Sequence, residues 1–181
     1  MSLRVGVLTV SDGCAAGVRE DVSGAVLEGW ARDLGHTVTE RALVPDDALS
    51  ITPHLLTWAD SGRVDAILTT GGTGFGARDV TPEATAPVLD REATGLAEAV
   101  RRRGEAATPL APLSRARVGS RGAVFIANLP GSPGGVKDGL AILGPLIPHV
   151  VELLAGVDSP HRAAPADPLR RSTPSGSGEG E

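Results

Sequence analysis

Short apolar runs, separated by segments of helical spacing, dominate the pattern along the chain. Leu3 to Val10 is apolar and β-branched almost throughout, as a strand buried on both faces requires. His36 to Leu43 alternates apolar and polar positions and predicts a strand nearer an edge. Asp65 to Thr70, with Ala66-Ile67-Leu68 at its centre, predicts another buried strand. Between these runs, Ser23 to Leu34 reads as a helix capped by Ser23 and closed by Gly35. Asp47 to about Ala59 reads as a second helix, although Pro53 argues for a start nearer Thr52. This β-α-β-α-β order predicts a parallel sheet with right-handed crossovers.

Past Thr70 the pattern is more broken. Pro82 to Leu89 and Gly95 to Arg103 predict two helices, the first with Thr81 as N-cap and Pro82 at the first helical position. Arg101-Arg102-Arg103 reads as a solvated helix face. Thr108 to Leu113 holds two prolines and reads as loop. Ser114 to Val118 and Ala123 to Asn128 predict two short strands around Gly119 to Gly122. Val136 to Leu154 predicts a helix with Val136, Leu140, Leu143, Ile147, Val150, Val151 and Leu154 on one face, kinked or split by Pro145 and Pro148. From Val157 onward the apolar periodicity stops, so one domain over 1–156 and a disordered tail over 157–181 are expected.

Composition narrows the function. With two Trp, two Phe and no Tyr, the core must come from Val, Leu, Ile and Ala. A net charge of −5 gives no sign of a nucleic-acid partner. The single cysteine, Cys14, rules out an internal disulfide and fits a reducing compartment. No apolar run is long enough to span a membrane and no secretory-signal pattern precedes the first strand, so a cytoplasmic location is expected.

Three loops leave strand ends on the same side of a parallel sheet: Ser11-Asp12-Gly13, Gly71 to Asp79, and Pro130 to Gly135. In the second, Gly71, Gly72 and Gly74 leave backbone N–H groups open to a close anion, and in the third Gly131 does the equivalent, with Pro130 shaping the turn before it. Each of these two loops precedes a helix, which adds a positive dipole end. Two anion sites on one rim point to a substrate with several phosphates, or to two phosphorylated substrates; the plainer alternative is that the glycines only make tight turns. Ser11, Thr73 and Ser132 can donate to phosphate oxygens, with Thr81 at the following helix start. Lys137 either reaches a phosphate or is an ordinary exposed lysine. Neither loop has the dinucleotide spacing, and no Gly-Lys-Ser/Thr makes a P-loop.

Asp79 lies between its glycine loop and the next helix, where a bound phosphate would repel it unless a cation intervened. It therefore reads as a Mg²⁺ ligand, or else as a turn and capping residue ahead of Thr81. Asp46, at the end of the second strand, is the second ligand or else a turn and capping residue. Asp12 is a third candidate that also suits a turn. The four histidines have no metal-binding spacing, and there is no zinc pattern and no Gly-x-Ser-x-Gly elbow.

Gly71-Gly72-Thr73-Gly74, then Arg78-Asp79-Val80-Thr81-Pro82-Glu83-Ala84-Thr85, then Leu129-Pro130-Gly131-Ser132-Pro133, resemble the MogA/MoaB family of molybdenum cofactor biosynthesis. Val7 to Asp12 and Leu113-Ser114-Arg115 match too, and the likeness runs from about Arg4 to Gly156. It implies a three-layer α/β domain with a mostly parallel central sheet flanked by helices. It also implies molybdopterin adenylyltransferase activity, in which ATP and molybdopterin give adenylylated molybdopterin and pyrophosphate with Mg²⁺. Asp46 and Asp79 correspond to the family's two catalytic aspartates. The resemblance further implies a homotrimer, a kinship with gephyrin, and a MoeA-type metal-insertion protein as partner. Two other readings stand beside it: a non-catalytic molybdopterin-binding or scaffolding paralogue, and a nucleotide-binding domain without pterin specificity. The sequence departs from the family at Phe75-Gly76-Ala77 and Gly134-Gly135, neither of which removes a proposed catalytic group.

Overall fold

The computed structural model describes residues 1–156; the tail expected from Val157 lies outside the described residues. In chain order the elements are β1 (Arg4–Val10), the short α1 (Asp12–Ala15), α2 (Val22–Asp33), β2 (Thr37–Val44), α3 (Ala48–Asp60), β3 (Ala66–Thr70) and α4 (Thr81–Thr85). Then come β4 (Arg91–Glu92), α5 (Thr94–Glu105), β5 (Val118–Arg121), β6 (Val124–Leu129), α6 (Pro133–Leu143) and α7 (Ile147–Leu154). The strands form one sheet in the order β2-β1-β3-β6-β5-β4. The first four are parallel, and β5 and β4 extend them antiparallel.

Helices cover both faces, so β3 and all but the first residue of β1 are buried, and their sequences are continuous apolar runs for that reason. β2 is an edge strand and keeps its alternation. Val5, Val7, Leu68, Phe125 and Ala127 face α2, α5, α6 and α7. Leu8, Ile67, Val124 and Ile126 face α3 and Ala84 to Val88. The result is three layers with a core on each side of the sheet. Each large side chain so buried contributes roughly 1.5–3 kcal/mol relative to an exposed position. β1 lies between β2 and β3, so successive connections leave it in opposite directions. The crevice at the carboxyl ends of β1 and β3 is therefore the sheet's switch point.

Several expected boundaries move. The N-cap of α2 is Asp21, not Ser23. Its Oδ1 accepts from the Gly24 N–H at 2.8 Å, while Oδ2 accepts from the Thr9 hydroxyl at 2.7 Å and from Arg41, which ties the helix start to the sheet. α3 starts at Ala48 despite Pro53. The proline removes only the bond to the carbonyl of Leu49, an exposed residue near the helix start. Thr81 is the first residue of α4 and not its cap, because its hydroxyl donates to the Gly71 carbonyl instead. That helix has only five residues, and a 3₁₀ turn at Ala86–Val88 replaces its expected continuation to Leu89. The strand expected over Ser114 to Val118 lies at Val118–Arg121, and Gly122 and Ala123 alone turn the hairpin into β6. Arg101 leaves the solvated run and donates to the carbonyls of Ser114 and Ala116 at 3.0 and 3.2 Å. The long C-terminal helix splits into α6 and α7, as its two prolines predict.

Candidate active site

The site is built where β1, β2, β3 and β6 end. Gly71 and Gly72 have φ values of +101° and +63°, which side chains rarely adopt, and a Cβ on Gly71 would overlap the Val10 carbonyl. The turn after β3 can thus press against the end of β1. The Gly71 N–H donates to the Leu129 carbonyl at 3.2 Å and the Thr70 hydroxyl to the Pro130 carbonyl at 2.7 Å, so the two glycine loops lie side by side. Beneath them runs a fully buried polar chain. Thr81 donates to the Gly71 carbonyl at 2.8 Å and Thr85 to the Thr81 carbonyl at 2.8 Å. Asn128 donates to the hydroxyls of Thr85 and Thr69 at 3.0 and 3.1 Å. A buried network that satisfies its members in this way holds one geometry.

Above the loops lies a cleft of about 700 Å³, and both acids face it. Asp46 and Asp12 hold each other reciprocally. The Asp12 N–H donates to Asp46 Oδ2 at 2.7 Å, and the Asp46 N–H donates to Asp12 Oδ1 at 3.0 Å. Arg78 grips both oxygens of Asp12 at 2.9 Å. Asp79 Oδ2 accepts from the Gly76 N–H at 2.7 Å. A Cβ on Gly74 or Gly76 would come within 2.9 or 2.7 Å of that oxygen, so these glycines make room for the carboxylate. Burial raises the pKa of Asp46, the Asp12 N–H opposes this, and the nearby Asp12 and Asp79 charges push it up further. Arg78 holds the exposed Asp12 below its usual value.

These observations bear on the expected Mg²⁺. Asp46 Oδ1 and Asp79 Oδ1 receive no hydrogen bond among the described residues, and like charges crowd Asp46. Two hard oxygen donors whose mutual repulsion Arg78 offsets only in part suit a divalent cation whose remaining ligands are phosphate oxygens and water. Among the described residues no cluster of three acidic, histidine or cysteine side chains forms a cage, so the protein alone supplies a partial ligand set.

Of the residues expected from sequence, Ser11, Asp46, Gly71, Gly72, Asp79, Gly131 and Ser132 line the cleft. Asp12 stands beside it. Thr81 lies underneath, supporting the loop. Thr73, Gly74 and Pro130 face an adjoining cavity of about 480 Å³, which shares Ser132 with the cleft and is walled by Leu113 and Phe75. Ser132 caps α6 by accepting from the Gly135 N–H at 3.1 Å, and its own proton is left to donate. Lys137 is not brought to the cleft; it lines an apolar groove between α2 and α6 with Trp30 and His36. The dipole expected behind the first glycine loop is small, because α4 is one turn long, so that loop offers N–H groups alone. Sequence reasoning missed Arg19, whose side chain lines the cleft from the loop after α1. A lone cation in a polar loop gives no spacing signal.

Residues 6–149 match the family model described as a probable molybdopterin binding domain. The molybdenum cofactor synthesis protein cinnamon of Drosophila melanogaster is 39% identical over 84% of this chain. A molybdopterin adenylyltransferase of Helicobacter pylori strain J99 is 35% identical over 86% of this chain and 89% of its own length. A crystal structure of the molybdopterin biosynthesis enzyme MoaB from Thermus thermophilus superposes with a TM-score of 0.79 and 45% identity, over 85% of this chain and 97% of that one. The chain spans 26% of the length of cinnamon and 47% and 49% of two bifunctional molybdenum cofactor biosynthesis proteins. With the glycine loops and both aspartates in place along a matching fold, the chain belongs to the MogA/MoaB family of molybdenum cofactor biosynthesis proteins.

Proposed function

We propose that this protein is a molybdopterin adenylyltransferase. An oxygen of the terminal phosphate of molybdopterin attacks the α-phosphorus of ATP. The new oxygen–phosphorus bond forms as the bond to the β-phosphate oxygen breaks, giving adenylylated molybdopterin and pyrophosphate. The observation that carries this reading is the convergence of Asp46 and Asp79, from different strand ends, on one cleft beside two apposed glycine loops.

Two anionic substrates must be aligned, so positioning and charge neutralisation dominate the task. Asp46 and Asp79 would hold Mg²⁺, which when bound supplies positive charge to the triphosphate. In the Gly71–Gly76 loop the N–H groups from Gly72 to Phe75, which have no partner among the described residues, take the nucleotide phosphates, and the Pro130–Gly135 loop takes the phosphate side of the pterin. Ser132, shared by both cavities, donates to a phosphate oxygen between them. The family likeness supports, as part of this proposal, a cytoplasmic homotrimer with a MoeA-type metal-insertion protein as the partner that takes its product.

The test is pyrophosphate release by the wild type and by Asp79→Ala, with calorimetry for molybdopterin and Mg-ATP separately. Release should require both substrates, and Asp79→Ala should fall by at least about 100-fold while still binding molybdopterin. Near-normal turnover by Asp79→Ala would discard the metal-holding role. A wild type that binds molybdopterin and transfers no AMP would be the binding-only paralogue.

A further inference from the structure

Arg115 lies in the segment before β5, outside the acid cleft, yet it governs the loop that carries Asp79. Its backbone N–H donates to the Thr73 carbonyl at 2.8 Å. Its Nε donates to the Gly74 carbonyl at 2.7 Å and one terminal nitrogen to the Asp79 carbonyl at 2.6 Å. The other terminal nitrogen pairs with the Glu83 carboxylate. The Phe75 ring lies over the guanidinium, 5.3 Å from centroid to carbon. Apart from the Arg78–Asp12 pair, the hydrogen bonds that reach residues 73–79 from elsewhere among the described residues all come from Arg115.

We propose that Arg115 is a positioning residue: its fork fixes Gly74 relative to Asp79, and thereby aims the Asp79 carboxylate at the acid cleft. The inference rests on the reading of Asp79 as a metal-holding acid. The loop between Thr73 and Asp79 contains Gly74 and Gly76 and has no regular structure, so without an external tie it would sample many conformations. The guanidinium is a planar donor whose separate N–H directions reach three acceptors at once. A lysine ammonium offers one point on a flexible stem and cannot span the Gly74 and Asp79 carbonyls together. The exposed Phe75 covers the guanidinium face, which keeps water from competing for these bonds and adds a cation–π contact. A misplacement of about 1 Å at a reacting centre costs about 100-fold in rate.

The experiment compares the wild type with Arg115→Lys, Arg115→Ala and, as control, Arg121→Lys, which disturbs an equivalent pair with Asp60 away from the site. Amide hydrogen exchange of Gly76 and Asp79 is measured in the ligand-free protein, followed by kcat and the Mg²⁺ concentration for half-maximal AMP transfer. Both Arg115 variants should exchange these two amides at least about tenfold faster, with β3 and β6 unchanged. They should lose about 10- to 100-fold in kcat and need more Mg²⁺, and added guanidinium should restore part of the kcat of Arg115→Ala. Arg121→Lys should match the wild type. Unchanged exchange at Gly76 and Asp79, or unchanged kcat and Mg²⁺ requirement in a folded Arg115→Lys, would overturn the proposal. So would an activity loss that tracks the unfolded fraction and ignores guanidinium. If Arg115→Ala does not fold, Arg115→Lys decides alone. A wild type without AMP transfer would sink the proposed function, while the exchange measurement still decides the clamp.

Discussion

At Asp46 a single carboxylate is held at a cost to the fold. Its usual value is 3.8, and burial with two acidic neighbours raises it in the folded protein. Between those values the folded state holds the proton more tightly than the unfolded chain. Stability contributed by this group therefore falls as pH rises through that window, and the deficit persists at neutral pH. Asp46→Asn keeps an oxygen for the Asp12 N–H and removes the charge. It should raise Tm at neutral pH by about 2 °C, the order expected for under 1 kcal/mol in a partly solvated site. The same variant should abolish Mg²⁺ binding. The proposed Mg²⁺ site needs the ionised group, so affinity measured by calorimetry should weaken as pH falls toward the raised Asp46 value. Asp79→Asn removes one repelling charge and should shift the protonation of Asp46 to lower pH, readable from its carboxyl carbon resonance. A variant Tm at or below the wild type would show that the crowding is relieved by other means.

The element that most shapes the site is the unit of β6 and α4, joined by the buried polar chain. Asn128→Ala strips a partner from the Thr69 hydroxyl and from the Arg117 N–H, which donates to Asn128 Oδ1 at 3.1 Å. Unsatisfied buried groups cost about 1–3 kcal/mol each, so urea unfolding should report a loss of roughly 2–4 kcal/mol with an unchanged m-value. A loss under about 0.5 kcal/mol would mean that the chain does not stiffen the loop. Legibility in the sequence follows the same division. β1, β3 and β6 were readable because helices bury both their faces and the sequence must be apolar throughout. The glycine loops and both aspartates were readable from their places at strand ends. The caps were not: Ser23 and Asp21 are both good caps, and only the contacts of Asp21 with Thr9 and Arg41 decide between them. Thr81 has the identity of a cap but is recruited by Gly71. β4 has two residues and carries no periodicity. Arg115 belongs to a segment that carries the family likeness and Lys137 follows a glycine loop, but nothing local shows what either touches; tertiary placement alone sends one to the Thr73–Asp79 loop and the other to the α2–α6 groove.

The whole molecule links the cleft to global stability. One sheet is shared by both cores, so neither helical layer can leave without exposing a face of the same six strands. Urea unfolding of residues 1–156 should therefore be a single transition. The cleft draws its walls from the ends of β1, β2, β3 and β6, so it exists only when the parallel part of the sheet is intact. A ligand specific for it binds the native state alone and stabilises by RT ln(1 + [L]/Kd), about 2.7 kcal/mol at 100 times Kd. In a domain of this size that corresponds to a Tm rise of about 5–10 °C. Mg²⁺ alone meets only two carboxylates and should shift Tm little; ATP with Mg²⁺ should give the full rise, and ATP with excess chelator much less. Asp46→Asn, despite its higher starting Tm, should lose most of the Mg-ATP increment, because in the proposed site that increment depends on the metal held by the two acids and not on the fold. Equal Mg-ATP increments in wild type and Asp46→Asn would separate nucleotide binding from the two acids and end the case for a shared metal. If the homotrimer forms, Tm should also climb with protein concentration, and the Mg-ATP increment should remain additive to that climb as long as each cleft lies within one protomer.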